Sequence, residues 1–305
     1  MNLRDLRYLV AIADERHFGR AAAACNVSQP TLSSQLKKLE AYLGVTLFER
    51  SNKAVMVTPL GEIVVGRARA ALEQADAILD IAQASRDPMA GPLTLGLIPT
   101  LGPYLLPWVL APIHRRFPAL ELVIREDLTD HLLAQLKAHE LDAALLALPL
   151  EETELAVLPL FDEPFWVAHP PQHRFARRAR VAEKDLVEED LLLLAEGHCL
   201  RDQALSVCGL EGEGAAHRLG NLQATSLETL RQMVAAGYGC TLLPALALHG
   251  RRTRRSPVDA KPIAGAQASR RIAIVYRRSF PRGACLEQLA LFIRGCLPEA
   301  VRPLS

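Results

Sequence analysis

From Gly61 to about Arg86 the chain runs without a proline, and Val64, Ala68, Ala71, Ala75, Ile78 and Ala82 recur at intervals of 4, 3, 4, 3 and 4. That spacing is the seam of a two-stranded helical pair, and a second row, Val65, Leu72 and Leu79, widens it. Alanines in such a seam let two helices approach closely. A helix this long and this polar is poorly suited to burial in one core. The pattern predicts an extended linker over 61–87 that pairs with a second copy and separates two domains. The competing reading is a helix packed on its own domain. A length of 305 residues accommodates two or three domains.

On the N-terminal side, Leu3, Leu6, Leu9, Val10 and Ala13 fall at helical spacing. The run FGRAAAACNV predicts a second short helix over about 18–25, with Asn26 and Val27 in the turn. Ser28 is placed to cap a third helix, Pro30 fits its first turn, and Gly44 stops it after Leu43. Leu32, Leu36 and Leu39 share its inner face. The stretch LFERSNKAVMVTPLG then alternates and turns as a small hairpin does. Three short helices with a tight second turn form a helix-turn-helix, whose third helix enters the DNA major groove by its leading turn. Gln29, Pro30, Thr31, Ser33, Ser34 and Gln35 make up that leading face, where polar groups reach base edges and phosphates. Lys37, Lys38, Arg50 and Lys53 would neutralise phosphates. Up to residue 60 there are eight Lys or Arg against five Asp or Glu, a net of +3, within a chain of net charge +1. The bland alternative is a three-helix bundle used for protein contacts.

Asp87, Pro88, Gly91 and Pro92 read as a linker. Beyond them the pattern changes. LTLGLI, ELVIRE, DAALLAL, FWVAH, LLLLA, GCTLLP and RRIAIVYRR are strand-like runs separated by helical ones, which predicts a parallel α/β architecture. The N-terminus shows no apolar core followed by a cleavage site, and no apolar run reaches about 18 residues. The expectation is a cytoplasmic protein with no membrane partner and reduced cysteines. No CxxC pair points to a metal, and no motif asks for a cofactor.

Within the α/β part, GHCLRDQALSVC carries two cysteines nine positions apart. Cys199 stands beside His198 at the expected start of a helix, where backbone N–H groups favour a thiolate. Arg201 adds positive charge, Asp202 opposes it, and Arg270 or Arg271 could supply more. Cys208 ends the same stretch. Nine helical residues rise about 13.5 Å, whereas a disulfide needs Cα atoms within about 7 Å. The two sulfurs can join only if the segment unwinds, and Gly209, Gly212 and Gly214 supply pliant backbone after it. Two ordinary buried cysteines remain the alternative at this point. Cys25 and Cys240 read as packing residues, Cys285 and Cys296 as members of a C-terminal helix.

The residues FGRAAAACNVSQPTLSSQLKKLEAYLGVTLFER, followed by VTPLG, resemble the N-terminal signature of LysR-type transcription regulators. That resemblance implies a winged helix-turn-helix over 1–60, a coiled linker helix over 61–87, and a two-lobed α/β regulatory domain over 91–305 similar to periplasmic binding proteins. Lobe I would take about 91–161 and 268–305, and lobe II about 162–267. GHCLRDQALSVC, LGLIPTLGPYLLP and LTDHLLAQL resemble the OxyR branch of that family, the hydrogen-peroxide sensors. The branch implies that Cys199 is peroxidatic and Cys208 resolving, joined as a disulfide after oxidation. It also implies that Thr100, Thr129, His198 and Asp202 position peroxide. Without it, Thr100 is a strand-end threonine and Thr129 a helix N-cap. Further implications are duplex promoter DNA as partner, a homotetramer built as a dimer of dimers, contact with RNA polymerase, a glutaredoxin- or thioredoxin-type reductant, and no enzymatic turnover. The rival within the family is a regulator read out by a small metabolite between the lobes.

Overall fold

The N-terminal helices begin and end where their caps dictate. In the computed structural model, which describes residues 1–50, 55–84, 87–150, 152–209, 223–249, 258–264 and 268–304, α1 (Leu3–Glu15) opens on a capping box between Asn2 and Asp5. After α2 (Phe18–Ala24), α3 (Gln29–Leu43) opens on Ser28, whose hydroxyl accepts the Thr31 N–H, and closes on Gly44 at φ +70°. β1 (Phe48–Arg50) and β2 (Val55–Val57) pair antiparallel as the hairpin. The long helix α4 (Pro59–Ala84) follows. Leu9, Ile12, Leu32, Leu36 and Leu47 seal the core of this unit.

The expected seam of α4 is divided. Val65 and Ala68 are buried in the unit's own core and Val64 and Leu72 pack against it, so the competing reading holds for the first half of the helix. Ile63, Ala71 and Ile78 are exposed. The side chains of Leu79 and Ala82 lie outside the described residues.

By its contacts the chain divides into two units, Met1–Asp87 with Lys137–Glu140, and Pro88–Leu136 with Leu141–Ser305. The second begins with β3 (Gly91–Leu97), α5 (Gly102–Arg116), β4 (Leu120–Glu126), α6 (Thr129–Lys137) and β5 (Ala143–Leu148). β3 pairs in parallel with both β4 and β5. Gly91 and Pro92, expected in the linker, already belong to β3, because the first residues of a strand tolerate a missing N–H. β6 (Leu155–His169) is long, starting well before the expected FWVAH run. Lobe II then contributes a 3₁₀ turn (Arg174–Arg177), β7 (Val181–Ala182), α7 (Glu183–Leu186), β8 (Leu193–Leu194), α8 (Cys199–Val207), β9 (Gln223–Ala224), α9 (Leu227–Ala235), β10 (Thr241–Pro244), α10 (Ala245–Leu248) and β11 (Asp259–Ala264). The LLLLA run yields only the two-residue β8, with Leu191 bridging Cys240. The chain closes with β12 (Ser269–Arg277), α11 (Gly283–Gly295) and β13 (Arg302–Pro303).

The sheet is mixed rather than parallel. β12 runs antiparallel to β5 on one side and to β6 on the other, and β10 and β11 run antiparallel to β6. Alternating strand and helix patterns specify layers, but a strand that returns from a second lobe enters in the opposite sense. β6, and the chain as it enters β12, serve two cores. Phe161 and Ile272 belong to the lobe I core, Phe165 and Ala268 to that of lobe II. The change of core falls at Glu163 and Arg270, which face each other across the two strands. Among the described residues, no helix is long and apolar enough to cross a membrane.

Candidate functional site

α8 places its two cysteines at opposite ends. Cys199 is the first helical residue and Cys208 the C-cap. Leu200, Ala204 and Cys208 are buried in the lobe II core, whereas Cys199 is half-buried and packs against the lobe I core. One short helix therefore has its Cys199 end seated on the other lobe. Cys199 stands in the N-terminal turn of α8. All six cysteines are free.

The turn before α8 meets lobe I directly. Gly197 has φ +88°, which favours glycine, and a Cβ there would lie 3.0 Å from Leu128 Cδ1, a tight contact with that side chain. Leu128 adjoins Thr129, the first residue of α6. Leu97 and Glu126 are register partners at the ends of β3 and β4. Thr100 and Thr129 each follow three residues later, on neighbouring loops beyond the carboxyl ends of parallel strands, where open α/β sheets bind ligands. Thr129 is buried and its hydroxyl has no hydrogen-bond partner, so it does not cap α6. Instead, the Asp127 carboxylate accepts the Leu128 N–H at 2.8 Å. Such an orphan is uncommon and leaves a hydroxyl open to water or a polar ligand.

Thr100 is held from the hinge. Arg270 Nη1 donates to its hydroxyl at 2.9 Å and Nη2 to its carbonyl at 3.0 Å. Arg270 Nε donates to Glu163 Oε2 at 2.9 Å, and Glu163 Oε1 accepts the Leu246 N–H at 2.8 Å. Both charged side chains are fully buried. Arg270 thus acts on Thr100 rather than on the thiol. Arg271, the other expected helper, pairs at the surface with Asp162, and Arg201 donates to the Leu194 carbonyl at 3.0 Å. Nothing in the sequence marks Glu163, which gains meaning only when β6 and β12 pair.

His198 is buried at the N-cap of α8, its ring making no capping bond, and burial lowers its pKa, which keeps the imidazole neutral near pH 7. Asp202 is exposed in the first turn. Gln203, one turn after Cys199 on the same helix face, has a buried and unpartnered Oε1. Gly209 takes φ +62° after the helix. Gly212 and Gly214 lie outside the described residues.

Burial pushes the Cys208 thiol up to about 12, with the Glu183 carboxylate adding to it, and burial likewise pushes Cys240 up to about 12. An unfolded cysteine titrates at about 8.5 to 9. Between these values the unfolded chain has released protons that the folded chain retains. Stability is therefore intact below about pH 9 and falls toward pH 12, by about 1.4 kcal/mol per pH unit for each thiol. Urea unfolding of the reduced protein at about pH 8 and pH 10.5 should reveal this slope. Cys208→Ala should remove one proton's share of it.

In the N-terminal unit, α3 presents Gln29, Pro30, Thr31, Ser34, Lys37 and Lys38 to solvent, with Ser33 and Gln35 half-buried. The Thr31 hydroxyl lies 2.7 Å from that of Ser28, so this residue also serves the cap. The Arg50 side chain and Lys53 lie outside the described residues.

Comparison with known proteins agrees in both units. Residues 3–62 match the family of bacterial regulatory helix-turn-helix proteins of the lysR type, and residues 86–296 match the LysR substrate binding domain. A hydrogen peroxide-inducible genes activator of Pectobacterium carotovorum subsp. carotovorum is 49% identical over 305 residues, covering the whole of both chains. A full-length OxyR cysteine variant of Pseudomonas aeruginosa superimposes with a TM-score of 0.84 at 43% identity, over 97% of this chain and 99% of that one. A peroxide-bound OxyR cysteine mutant of Corynebacterium glutamicum gives 0.68 at 40% identity, over 98% and 93%.

Proposed function

The chain belongs to the LysR family of bacterial transcription regulators and to its OxyR branch, and from that premise we propose that it is a DNA-binding regulator switched by hydrogen peroxide through Cys199 and Cys208. The observation that carries the reading is the seating of α8. Its Cys199 end packs on lobe I beside the Thr129 loop, and its Cys208 end is sealed in lobe II. A bond between the two sulfurs cannot form without dismantling the helix, so chemistry at one atom becomes a change of shape.

The steps balance as follows. The Cys199 thiolate attacks one peroxide oxygen and the O–O bond breaks. The departing hydroxide takes a proton and leaves as water, and Cys199 becomes a sulfenic acid. The Cys208 thiolate then attacks the Cys199 sulfur, hydroxide leaves, and a disulfide remains. Two electrons from a thiol reductant of the glutaredoxin or thioredoxin type restore both thiols. Each disulfide formed consumes one peroxide, a stoichiometry that suits a sensor, and the steps call on no metal or cofactor. Thr100, polarised by Arg270, and Thr129, with its free hydroxyl, are suited to hold peroxide. Neutral His198 is suited to hydrogen-bond it, and exposed Asp202 contributes least.

Residues 1–60 would read a promoter site through Gln29 to Gln35, with Lys37, Lys38, Arg50 and Lys53 on phosphates. Residues 61–87 would pair two copies, the open Ala71 and Ile78 side of α4 supporting this, and a dimer of dimers would span the operator. Lobe I (91–161 and 268–305) and lobe II (162–267) would carry the switch to that pairing and to RNA polymerase, in the cytoplasm.

DNase footprinting of a bound promoter before and after peroxide tests the reading. A footprint that changes in the wild type and in Cys25→Ser, and stays fixed in Cys199→Ser, is the expected result. An unchanged wild-type footprint would overturn it. Thr129→Val offers a second measurement with two signs. Removing an unpartnered buried hydroxyl should raise stability by about 1 kcal/mol. Losing a donor to the developing negative charge should slow peroxide consumption by roughly 10-fold or more. A variant that is slower and also less stable would assign Thr129 a structural role instead.

A further inference from the structure

His173, Glu189 and Cys240 meet on elements of lobe II other than α8, and the switch makes no use of them. His173 precedes the 3₁₀ turn, Glu189 follows α7, and Cys240 precedes β10. Backbone bonds hold two of these segments together: the Cys240 N–H donates to the Asp190 carbonyl at 3.0 Å, and the Leu192 N–H to the Cys240 carbonyl at 2.8 Å. Gly239 permits this approach, since it has φ +145° and a Cβ there would lie 2.3 Å from the Asp190 carbonyl oxygen.

We infer that His173, Glu189 and Cys240 form a binding site for a thiophilic divalent cation of the zinc type. Their ligand atoms lie within 4.8 Å of one another. His173 Nε2 is 3.1 Å from Glu189 Oε2 and 3.7 Å from Cys240 Sγ. With ordinary zinc bond lengths, a tetrahedral site has N–O and N–S edges of about 3.4 and 3.6 Å. The two histidine edges therefore already lie within about 0.3 Å of those of such a site, and the remaining edge is no longer than 4.8 Å. Arg174 Nε donates to Glu189 Oε1, which fixes the carboxylate and leaves Oε2 toward the histidine. His173 and Glu189 retain 20% and 14% side-chain exposure, so an ion has a way in and water a fourth position. His169 lies alongside, its ring centroid 5.6 Å from that of His173. Its Nδ1–H donates to the Pro170 carbonyl, and its buried Nε2 has no partner.

Binding moves protons in a definite way. In the resting protein His173 Nδ1 accepts the Phe175 N–H at 3.3 Å, so the ring proton sits on Nε2 and is donated to Glu189. Coordination through Nε2 transfers that proton to Nδ1 and gives up the long Phe175 bond. The Cys240 thiol loses its proton to solvent as sulfur bonds the cation. One proton leaves per ion bound.

Titrating the chelator-treated, reduced full chain with Zn(II) by calorimetry and with Co(II) by absorption tests the site. The expected result is one equivalent per chain, about one proton released, and a thiolate-to-cobalt charge-transfer band. Cys240→Ser should abolish the band and weaken Zn(II) binding by about tenfold or more. Glu189→Gln, which keeps the thiol, should weaken binding and retain the band. Cys199→Ser with Cys208→Ser should leave both intact. Absence of saturation at one equivalent would reduce the trio to a hydrogen-bonded cluster. So would a band that survives Cys240→Ser, or one that disappears with the α8 cysteines.

Discussion

At pH 7 the reduced protein should alkylate at Cys208 at least about 10³-fold more slowly than an ordinary thiol, yet peroxide should convert that residue into half of a disulfide. The first part follows from protonation. A thiol pushed up to about 12 is three or more units above its ordinary value, and each unit removes a factor of ten from its thiolate fraction. Burial at 2% exposure slows it further. The second part follows from length, since nine helical residues separate the two Cα atoms by about 13.5 Å along α8. Resolution therefore waits for the helix to open, and opening also returns Cys208 to its ordinary acidity. Peptide mapping after peroxide should find Cys199 joined to Cys208. Cys208→Ser should stop after one thiol is consumed, leaving a trapped sulfenic acid, and Cys199→Ser should consume none at this site. Hydrogen exchange across 200–209 should lose protection on oxidation. Linkage of the two sulfurs with those amides still protected would refute the opening step.

Arg270→Met should cost about 3 to 5 kcal/mol of stability, because it strands the Glu163 carboxylate in a core without its counter-ion. For a unit of this size that lowers the melting temperature by roughly 10 °C. The loss comes from the unpaired charge and not from the pair's own strength. Adding Glu163→Gln should therefore restore about half or more of it, the amide oxygen still accepting the Leu246 N–H. Calorimetric melting of the two variants measures both effects. Equal melting of wild type and Arg270→Met would mean that solvent reaches the pair. Peroxide consumption by the double variant should remain slow, since Thr100 has lost both guanidinium bonds.

The legible parts were those governed by local rules. Ser28, Pro30 and Gly44 bound α3 because capping depends on a few adjacent residues, and α8 begins at Cys199 and is capped by Cys208 as its pattern predicts. Long-range geometry was not legible. Val65 and Ala68 satisfy a coiled-coil spacing and an internal packing spacing equally well, and only α1 and α3 decide between them. The antiparallel entry of β12 depends on where lobe II hands the chain back. Arg270 and Arg271 are neighbours in sequence, yet strand alternation buries one on Glu163 and exposes the other to Asp162.

β12 begins at Ser269 and lies between β5 and β6 in the sheet, although those strands end far earlier, at Leu148 and His169. During synthesis the ribosome releases both flanking strands long before the one that fills the slot. Until residues 269–277 emerge, lobe I has a gap at its centre, and Thr100 has no guanidinium to hold it. The nascent sensor therefore stays unassembled until β12 has emerged, with the edges of β5 and β6 open to chaperones or to mispairing.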